Sequence, residues 1–327
     1  MMRRRRAMAA ITVIIVALLV GAACSTGHDR AAPDHLGGPA PAPPTATSPP
    51  PADCADPTAS LRPQGSLPAP NQMPAGSYLR TIQERGHLVV GVDQNTLLLG
   101  ARDPVDGKIR GFEVDLARQV AKAIFGDESR VELKAVPGGA SASLSLVKTQ
   151  TVDLAIDAVT VKCERLQDVD FSTIYYNASQ RVLVPTDSTA TQLQDLGGKK
   201  VCATKGTTSF DFIRRYQSSP PLVPYPVGLR SDCLVALQER KVDAISADDT
   251  ILAGFQRQDP YTKVIGPPLE PEPYGMAINQ GHPEFVRFVN GVLEGLRADG
   301  TLSAIYANWL SPFLDSVPPP PEPHYKD

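Results

Sequence analysis

Histidine is scarce in this 327-residue chain. Five occur (His28, His35, His87, His282 and His324), and tryptophan occurs once, at Trp309. Neither the histidines nor the cysteines fall at the spacing of a metal site. No nucleophile elbow or other catalytic constellation is present. No metal, no cofactor and no enzymatic chemistry are therefore expected. A basic surplus is missing too. The formal net charge is −3, and removing residues 1–23, which carry four arginines and no acid, takes it to −7. A mildly acidic chain offers no electrostatic footing for nucleic acid. A comfortable membrane span is also absent, because the apolar run Ala7–Val20 is too short.

The chain does carry the marks of export. Arg3–Arg6 form a basic n-region, Ala7–Val20 an apolar h-region, and Gly21, Ala22 and Ala23 are small residues before Cys24. Small residues directly before a cysteine resemble a bacterial lipobox, with Gly21 where leucine is usual. The resemblance implies cleavage before Cys24, acylation of Cys24 and anchoring outside the cytoplasm. From Ser25 to about Ala75 the chain holds 13 of its 32 prolines and almost no large apolar residues. Such a stretch is expected to be a tether without a core. We divide the chain into a signal peptide (1–23), the lipidated cysteine and tether (24–76), a first lobe (77–184), a second lobe (185–270), a return to the first (271–317) and a proline-rich tail (318–327).

Four cysteines remain after Cys24. An even number in an exported protein suggests two disulfides, and four cysteines allow three pairings. Cys202–Cys233 with Cys54–Cys163 is favoured. The first would lie within one lobe, and the second would pin the end of the tether to the other.

The globular part alternates strands and helices. His87–Val92 reads as a buried strand, Asp115–Phe125 as a helix closed by Gly126, and Val131–Val136 as a second strand. A short helix over 142–148 leads to a strand over 152–159. The pattern then repeats: a strand over 199–204, a helix opened by Gly206-Thr-Thr-Ser, a proline-broken strand over 221–227, a helix over 233–240 and a strand over 242–246. Helical patterns over 285–296 and 302–310 end the domain. The segments 146–157 and 236–247 align on Val-Asp, 90 residues apart. The expected fold class is α/β, in two similar lobes with a cleft between them. The crossings are expected near Val182–Pro185 and Leu269–Tyr274. Ligands in such sheets sit beyond the carboxyl ends of strands.

The stretch Asp153–Ser172 is the most telling. Thr160 and Arg165 follow a buried strand, and a guanidinium fork with a hydroxyl suits a small carboxylate. In the second half, Thr207 and Thr208 stand at a helix start, where backbone amides favour an anion, and Asp248 and Asp249 follow a strand. Arg165 also reads as an ordinary solvated arginine, Thr207 and Thr208 as helix caps, and one of Asp248 and Asp249 as a cap. Phe112 and Phe171 read as core.

Taken in order, Val90-Gly-Val-Asp93, Gly111-Phe-Glu-Val-Asp-Leu116, Thr160 with Glu164-Arg165, Asp170-Phe-Ser172, Gly206-Thr-Thr208, Asp248 and Tyr274-Gly275 resemble the binding proteins of polar amino-acid ABC importers. These belong to solute-binding family 3, with the type II periplasmic binding fold. The resemblance covers about residues 80–310. With the lipobox and cysteines, it is nearest the actinobacterial glutamine/glutamate-binding lipoproteins. It implies a monomer that binds a free amino acid of the glutamine, glutamate, aspartate or asparagine class and serves permease subunits or, alternatively, a membrane sensor. An enzymatic alternative is a dehydratase-type cleft. Arg165, Thr160, Thr207 and Thr208 would hold the ligand carboxylate, and Asp248 with the Ala158 carbonyl the ammonium. Asp93 and Asp157 would face the ligand side chain. Asp157 would then repel an acidic side chain and tolerate an amide or a cation, with Lys205 as an offset. The loop Gln94–Gly100 and the position of Ala140 lack the aromatics usual in relatives, so the pocket wall is expected to be aliphatic or more open.

Overall fold

Ser77 accepts a hydrogen bond from the Arg80 amide and opens helix α1 (Tyr78–Arg85), and Gly86, at φ 87°, closes it. Strand β1 (Leu88–Val92) is buried along its whole length, as a parallel strand covered on both faces must be. A small antiparallel layer of β2 (Asn95–Thr96), β3 (Gly100–Arg102) and β4 (Ile109–Arg110) leads into α2 (Phe112–Phe125). The apolar stripe of α2 is buried, and Gly126 in the left-handed region caps it. Then come β5 (Val131–Ala135), α3 (Ala140–Lys148), β6 (Leu154–Ala155), β7 (Asp170–Phe171) and the ten-residue β8 (Tyr176–Pro185). The second lobe holds β9 (Lys200–Thr204), α4 (Thr208–Arg215), β10 (Val223–Val227), α5 (Arg230–Gln238), β11 (Ala244–Asp248), α6 (Asp249–Gln258) and β12 (Thr262–Ile265). The chain returns through β13 (Pro271–Tyr274) and β14 (Ala277–Ile278) to α7 (Pro283–Ala298) and α8 (Thr301–Trp309). This is a computed structural model that describes residues 54–136, 138–314 and 316–327. The signal peptide, Cys24 and the tether as far as residue 53 lie outside the described residues.

Each lobe is built on one sheet, and together they make the expected two-lobed α/β fold. The first has the order β5-β1-β6-β14-β7, with β5, β1 and β6 parallel and β14 antiparallel to both its neighbours. The second has the order β10-β9-β11-β8-β12, with a parallel half and an antiparallel edge. Strand β8 serves both lobes. Its first half, Tyr176–Ser179, pairs with β13, and from Gln180 onward it pairs with β11 and then β12. The outward crossing therefore falls at Ser179–Gln180, before the expected Val182–Pro185, because one continuous strand carries the chain across. Under this hinge Phe112, Tyr175, Tyr176, Tyr274 and Tyr306 pack ring against ring, with centroids 5.2–6.2 Å apart.

Two further expectations are corrected. The strand expected over 152–159 pairs only at Leu154–Ala155. The chain then turns, with Ala158 at φ 47°, and carries its side chains into the cleft. The tether also ends earlier than residue 76. From Cys54 on, the chain packs against the first lobe, burying Ser60 and Met73. Ser60 pairs with Tyr325 of the proline-rich tail, bonds the Phe171 carbonyl and receives Asn290 Nδ2. Arg287 pairs with Asp327. This proline-rich chain is held by hydrogen bonds to the first lobe and the far end, and by Met73 and Leu61, which join the core of the first lobe. The structure joins Cys54 to Cys163 and Cys202 to Cys233, the favoured pairing.

Candidate functional site

Between the lobes lies a cavity lined by both. Six of the residues expected at the site face it together: Ala158, Thr160 and Arg165 from the first lobe, and Thr207, Thr208 and Asp248 from the second. Inside this lining only about 20 Å³ is open to the centre of a water-sized sphere, little more than one water needs, so the lobes as they stand are closed and must part for a ligand to enter.

The loop after β6 is pinned to the returning strand, with the Val161 amide bonded to the Pro273 carbonyl (2.8 Å) and the Gly275 amide to the Val159 carbonyl (3.2 Å). This fixes Thr160 and, one turn on, Arg165. The half-buried Arg165 guanidinium makes one hydrogen bond among the described residues, to the Thr160 carbonyl at 2.6 Å. Among the described residues no carboxylate lies within ion-pairing distance of it. Disulfide-bonded Cys163, two residues away, holds the same loop. Asp248 closes β11 and stands at the start of α6. Its Oδ2 accepts from the Tyr274 hydroxyl at 2.6 Å, while its buried Oδ1 has no partner among the described residues. Burial pushes its carboxyl pKa up, against the bond from Tyr274. Asp248 holds the N-cap position of α6 without a side-chain capping bond, and Asp249, the first residue of the helix, accepts from the Thr250 amide.

Glu272 was not legible as a site residue. It projects from β13 between the lobes, and one of its oxygens accepts from both the Thr160 and Thr208 hydroxyls. Its buried Oε1 has no partner among the described residues. Burial, then the nearby Asp248, pushes its carboxyl pKa up. Thr207 spends its hydroxyl on the Thr204 carbonyl and on capping the Phe210 amide. Glu113, buried in α2, was also missed. It accepts from the Ala158 amide and the Tyr175 hydroxyl, both at 2.6 Å, and so holds Ala158 in its left-handed conformation. Burial first, and then Asp157, raise its pKa to about 7.

Asp93 and Asp157 are placed differently from expectation. They lie at the far end of the cleft, outside the cavity lining, and their carboxylates are taken by Arg230. This residue, at the first turn of α5 in the opposite lobe, lay outside the expected site. Arg230 Nη1 donates to Asp93 Oδ2 at 2.7 Å and to Asp157 Oδ1 at 2.5 Å, and Nη2 to the Asp157 carbonyl at 3.1 Å. Burial works against its charge, but Asp157 and Asp93 outweigh it and hold its pKa well above the usual arginine value. Arg230, not Lys205, offsets Asp157, because the Lys205 side chain is exposed. The expected lack of aromatics at Gln94–Gly100 and Ala140 is partly made up from the other lobe, where Phe255 of α6 joins the lining.

The lobes meet closely. Ser141 donates to the Gly206 carbonyl through both its amide and its hydroxyl (3.2 and 3.0 Å). A Cβ on Gly139 would stand 2.6 Å from Thr207 Cγ2, and one on Gly254 would stand 2.5 Å from the Leu97 carbonyl oxygen. Both positions need glycine for the lobes to close this far. Among the described residues there is no cluster of metal-ligating side chains.

Known proteins agree with this architecture. The description "Bacterial extracellular solute-binding proteins, family 3" matches residues 88–312. The glutamine-binding protein of an ABC transporter from Bacillus subtilis is 32% identical over 71% of this chain and 84% of its own length. A glutamate-binding protein of Corynebacterium efficiens is 29% identical over 69% and 79%. Among solved structures, the solute receptor for L-cysteine of Neisseria gonorrhoeae superposes with a TM-score of 0.67 at 26% identity, over 72% of this chain and 94% of that one. An ancestral arginine-binding protein bound to arginine gives 0.63 at 29% identity, over 69% and 99%. With the family description matching well over half of its residues, the chain belongs to family 3 of the bacterial extracellular solute-binding proteins.

Proposed function

We propose that this protein holds a free polar α-amino acid between its lobes, and that Arg165 and Asp248 carry the recognition. The observation behind this reading is an arginine without a carboxylate partner and a buried aspartate with an unpartnered oxygen, lining the same small cavity. A zwitterion supplies both missing charges. Its carboxylate suits the Arg165 fork, with the amides at the start of α4 beside it. Its ammonium suits Asp248 Oδ1 and the Ala158 carbonyl. Thr160 and Thr208 are already turned toward Glu272, so their part is to shape this end of the site. Membership in a solute-binding family sets aside the enzymatic alternative.

Ligand makes contacts to both lobes in the closed form only, so it shifts the population toward closure. The closed protein then presents both lobes at once to the permease of an ABC importer. Acylation at Cys24 would anchor it outside the cytoplasmic membrane as a monomer. Because packing begins at Cys54, about 30 residues separate anchor and domain, a reach of at most about 100 Å. Mass spectrometry of the membrane-extracted protein tests the anchor. A diacylglyceryl mass at Cys24 supports it, and an intact residue 1–23 segment refutes it.

A thermal-shift screen of the twenty L-amino acids tests the binding reading. A ligand at 100 times its Kd stabilises by about 2.7 kcal/mol, which displaces the melting curve visibly. If none of the twenty displaces it, the reading fails.

A further inference from the structure

Among the described residues Arg230 is the one buried cation that crosses the cleft, and nothing in the recognition of a zwitterion requires it. Its guanidinium lies 5% exposed, in the second lobe by sequence and against the first lobe by contact. The first lobe has prepared for it. Asp93 is held by the Asn95 amide and the Thr96 hydroxyl, both at 2.7 Å, and Asp157 by Ser143. Two oriented carboxylates at the ends of β1 and β6 thus wait for one cation from the opposite lobe.

Arg230 is also part of the cavity lining, whereas Asp93 and Asp157 are not. A ligand side chain growing from the Arg165–Asp248 end therefore meets the guanidinium before it meets either carboxylate. Three of the guanidinium's five N–H donors are spent on Asp93, Asp157 and the Asp157 carbonyl. Nε and the second Nη2 hydrogen make no hydrogen bond among the described residues.

We propose that Arg230 is the specificity-determining residue of the cleft: it neutralises Asp93 and Asp157 across the lobes and turns its remaining donors to an acceptor on the ligand side chain. The ligand class is then an α-amino acid with a carboxamide or carboxylate side chain. A cationic side chain meets a guanidinium instead of the acids behind it and is rejected. This reverses what Asp157 implies when read without its partner. The inference rests on the amino-acid reading above.

The test is calorimetric titration of L-glutamine, L-glutamate, L-asparagine, L-aspartate, L-arginine and L-lysine into the native protein and into Arg230→Met and Arg230→Lys. The native protein is expected to bind at least one of the first four and to bind arginine and lysine at least about 100-fold more weakly. In Arg230→Met, loss of a charged donor should weaken the preferred ligand by about 10–100-fold, while the uncovered Asp93 and Asp157 improve arginine or lysine. Arg230→Lys keeps the charge without the fork. It should keep the rejection of arginine and lose about tenfold for the preferred ligand, and it carries the test should the methionine variant not fold. Binding of none of the six and none of the other amino acids by the native protein overturns the amino-acid reading and this inference with it. Native preference for arginine or lysine overturns the inference alone. So does a native ranking that survives in Arg230→Met, whether affinities are unchanged or uniformly weaker, or an Arg230→Lys variant that binds the preferred ligand as tightly as the native protein.

Discussion

The two ends of the cleft hold the same kinds of groups in opposite conditions. At the far end Arg230, Asp93 and Asp157 satisfy one another across the lobes. At the near end, among the described residues, Arg165 has no carboxylate partner, and two buried acids, Asp248 and Glu272, each keep an oxygen without a hydrogen bond. Buried polar atoms are nearly always paired in folded proteins, so unpaired ones need an explanation. Here the explanation is division of labour. The matched charges close the lobes on each other and leave two Arg230 donors over for the ligand side chain, and the unmatched end is completed by the ligand's own charges. Each arginine also has a disulfide close by: Cys163 lies two residues before Arg165, and Cys233 one helical turn after Arg230.

The comparison breaks most directly at Arg165. Arg165→Ala is expected to weaken the tightest ligand of the thermal screen by more than about 100-fold, the usual cost of removing one partner of a buried charge pair. Because Arg165 has no ion-pair partner among the described residues, the melting temperature without ligand should move less than the affinity does. Calorimetry showing near-native affinity would place the ligand elsewhere.

The disulfides separate the two ends by stability. Cys54–Cys163 closes 109 residues and Cys202–Cys233 closes 31. In the chain-entropy account, replacing either pair by serine costs about 2–4 kcal/mol, with the longer loop costing more. Denaturant melts of the two double variants check the order. Both variants should also weaken ligand binding, the Cys54/Cys163 one through the Arg165 loop and the Cys202/Cys233 one at the cavity wall, which Cys233 lines.

Closure itself is tested away from both ends. Gly254→Ala puts a methyl group against the Leu97 carbonyl oxygen at the seam. Overpacking of this kind costs about 1–3 kcal/mol, so affinity should fall by about 5–100-fold without any change in ligand ranking. A change of ranking would mean that this seam shapes the side-chain end.

The smallest expected effect is on pH. Glu113 has a pKa of about 7, against 4.5 for an ordinary glutamate, because it is buried and lies near Asp157. The folded chain therefore keeps a proton that the unfolded chain has released. Stability without ligand is greatest below about pH 4.5, falls as pH rises toward 7 and levels off above it. Thermal melts at pH 5 and 7.5 should differ by about 2–2.5 kcal/mol through this group, within the limit of about 1.4 kcal/mol per pH unit for one group. Glu113→Gln should flatten the slope. A native protein more stable at pH 7.5 would contradict the assignment.

Much of this was legible in the chain itself. Buried strands such as Leu88–Val92 and the apolar stripe of α2 announce themselves by pattern. Thr160 and Arg165 stand out because a polar turn follows a buried run. Arg230 did not, for physical reasons. Its partners lie 137 and 73 residues away in sequence, and Arg-Ser-Asp at the start of α5 reads as a polar loop. Glu272 sits between two prolines on a strand that only the returning chain creates. The packing of residues 54–76 was hidden because it rests on a few scattered anchors, Met73 in the core, Asn71 on α2, Cys54 on Cys163 and Ser60 on the far end of the chain, which composition does not reveal.

The most direct test is the crystal structure of the complex with the tightest amino acid found in the screen. The account predicts the ligand carboxylate on the Arg165 guanidinium, its ammonium on Asp248, and Asp93 and Asp157 still bound to Arg230. A ligand ammonium seated on Asp93 or Asp157, with Arg230 displaced, would contradict it.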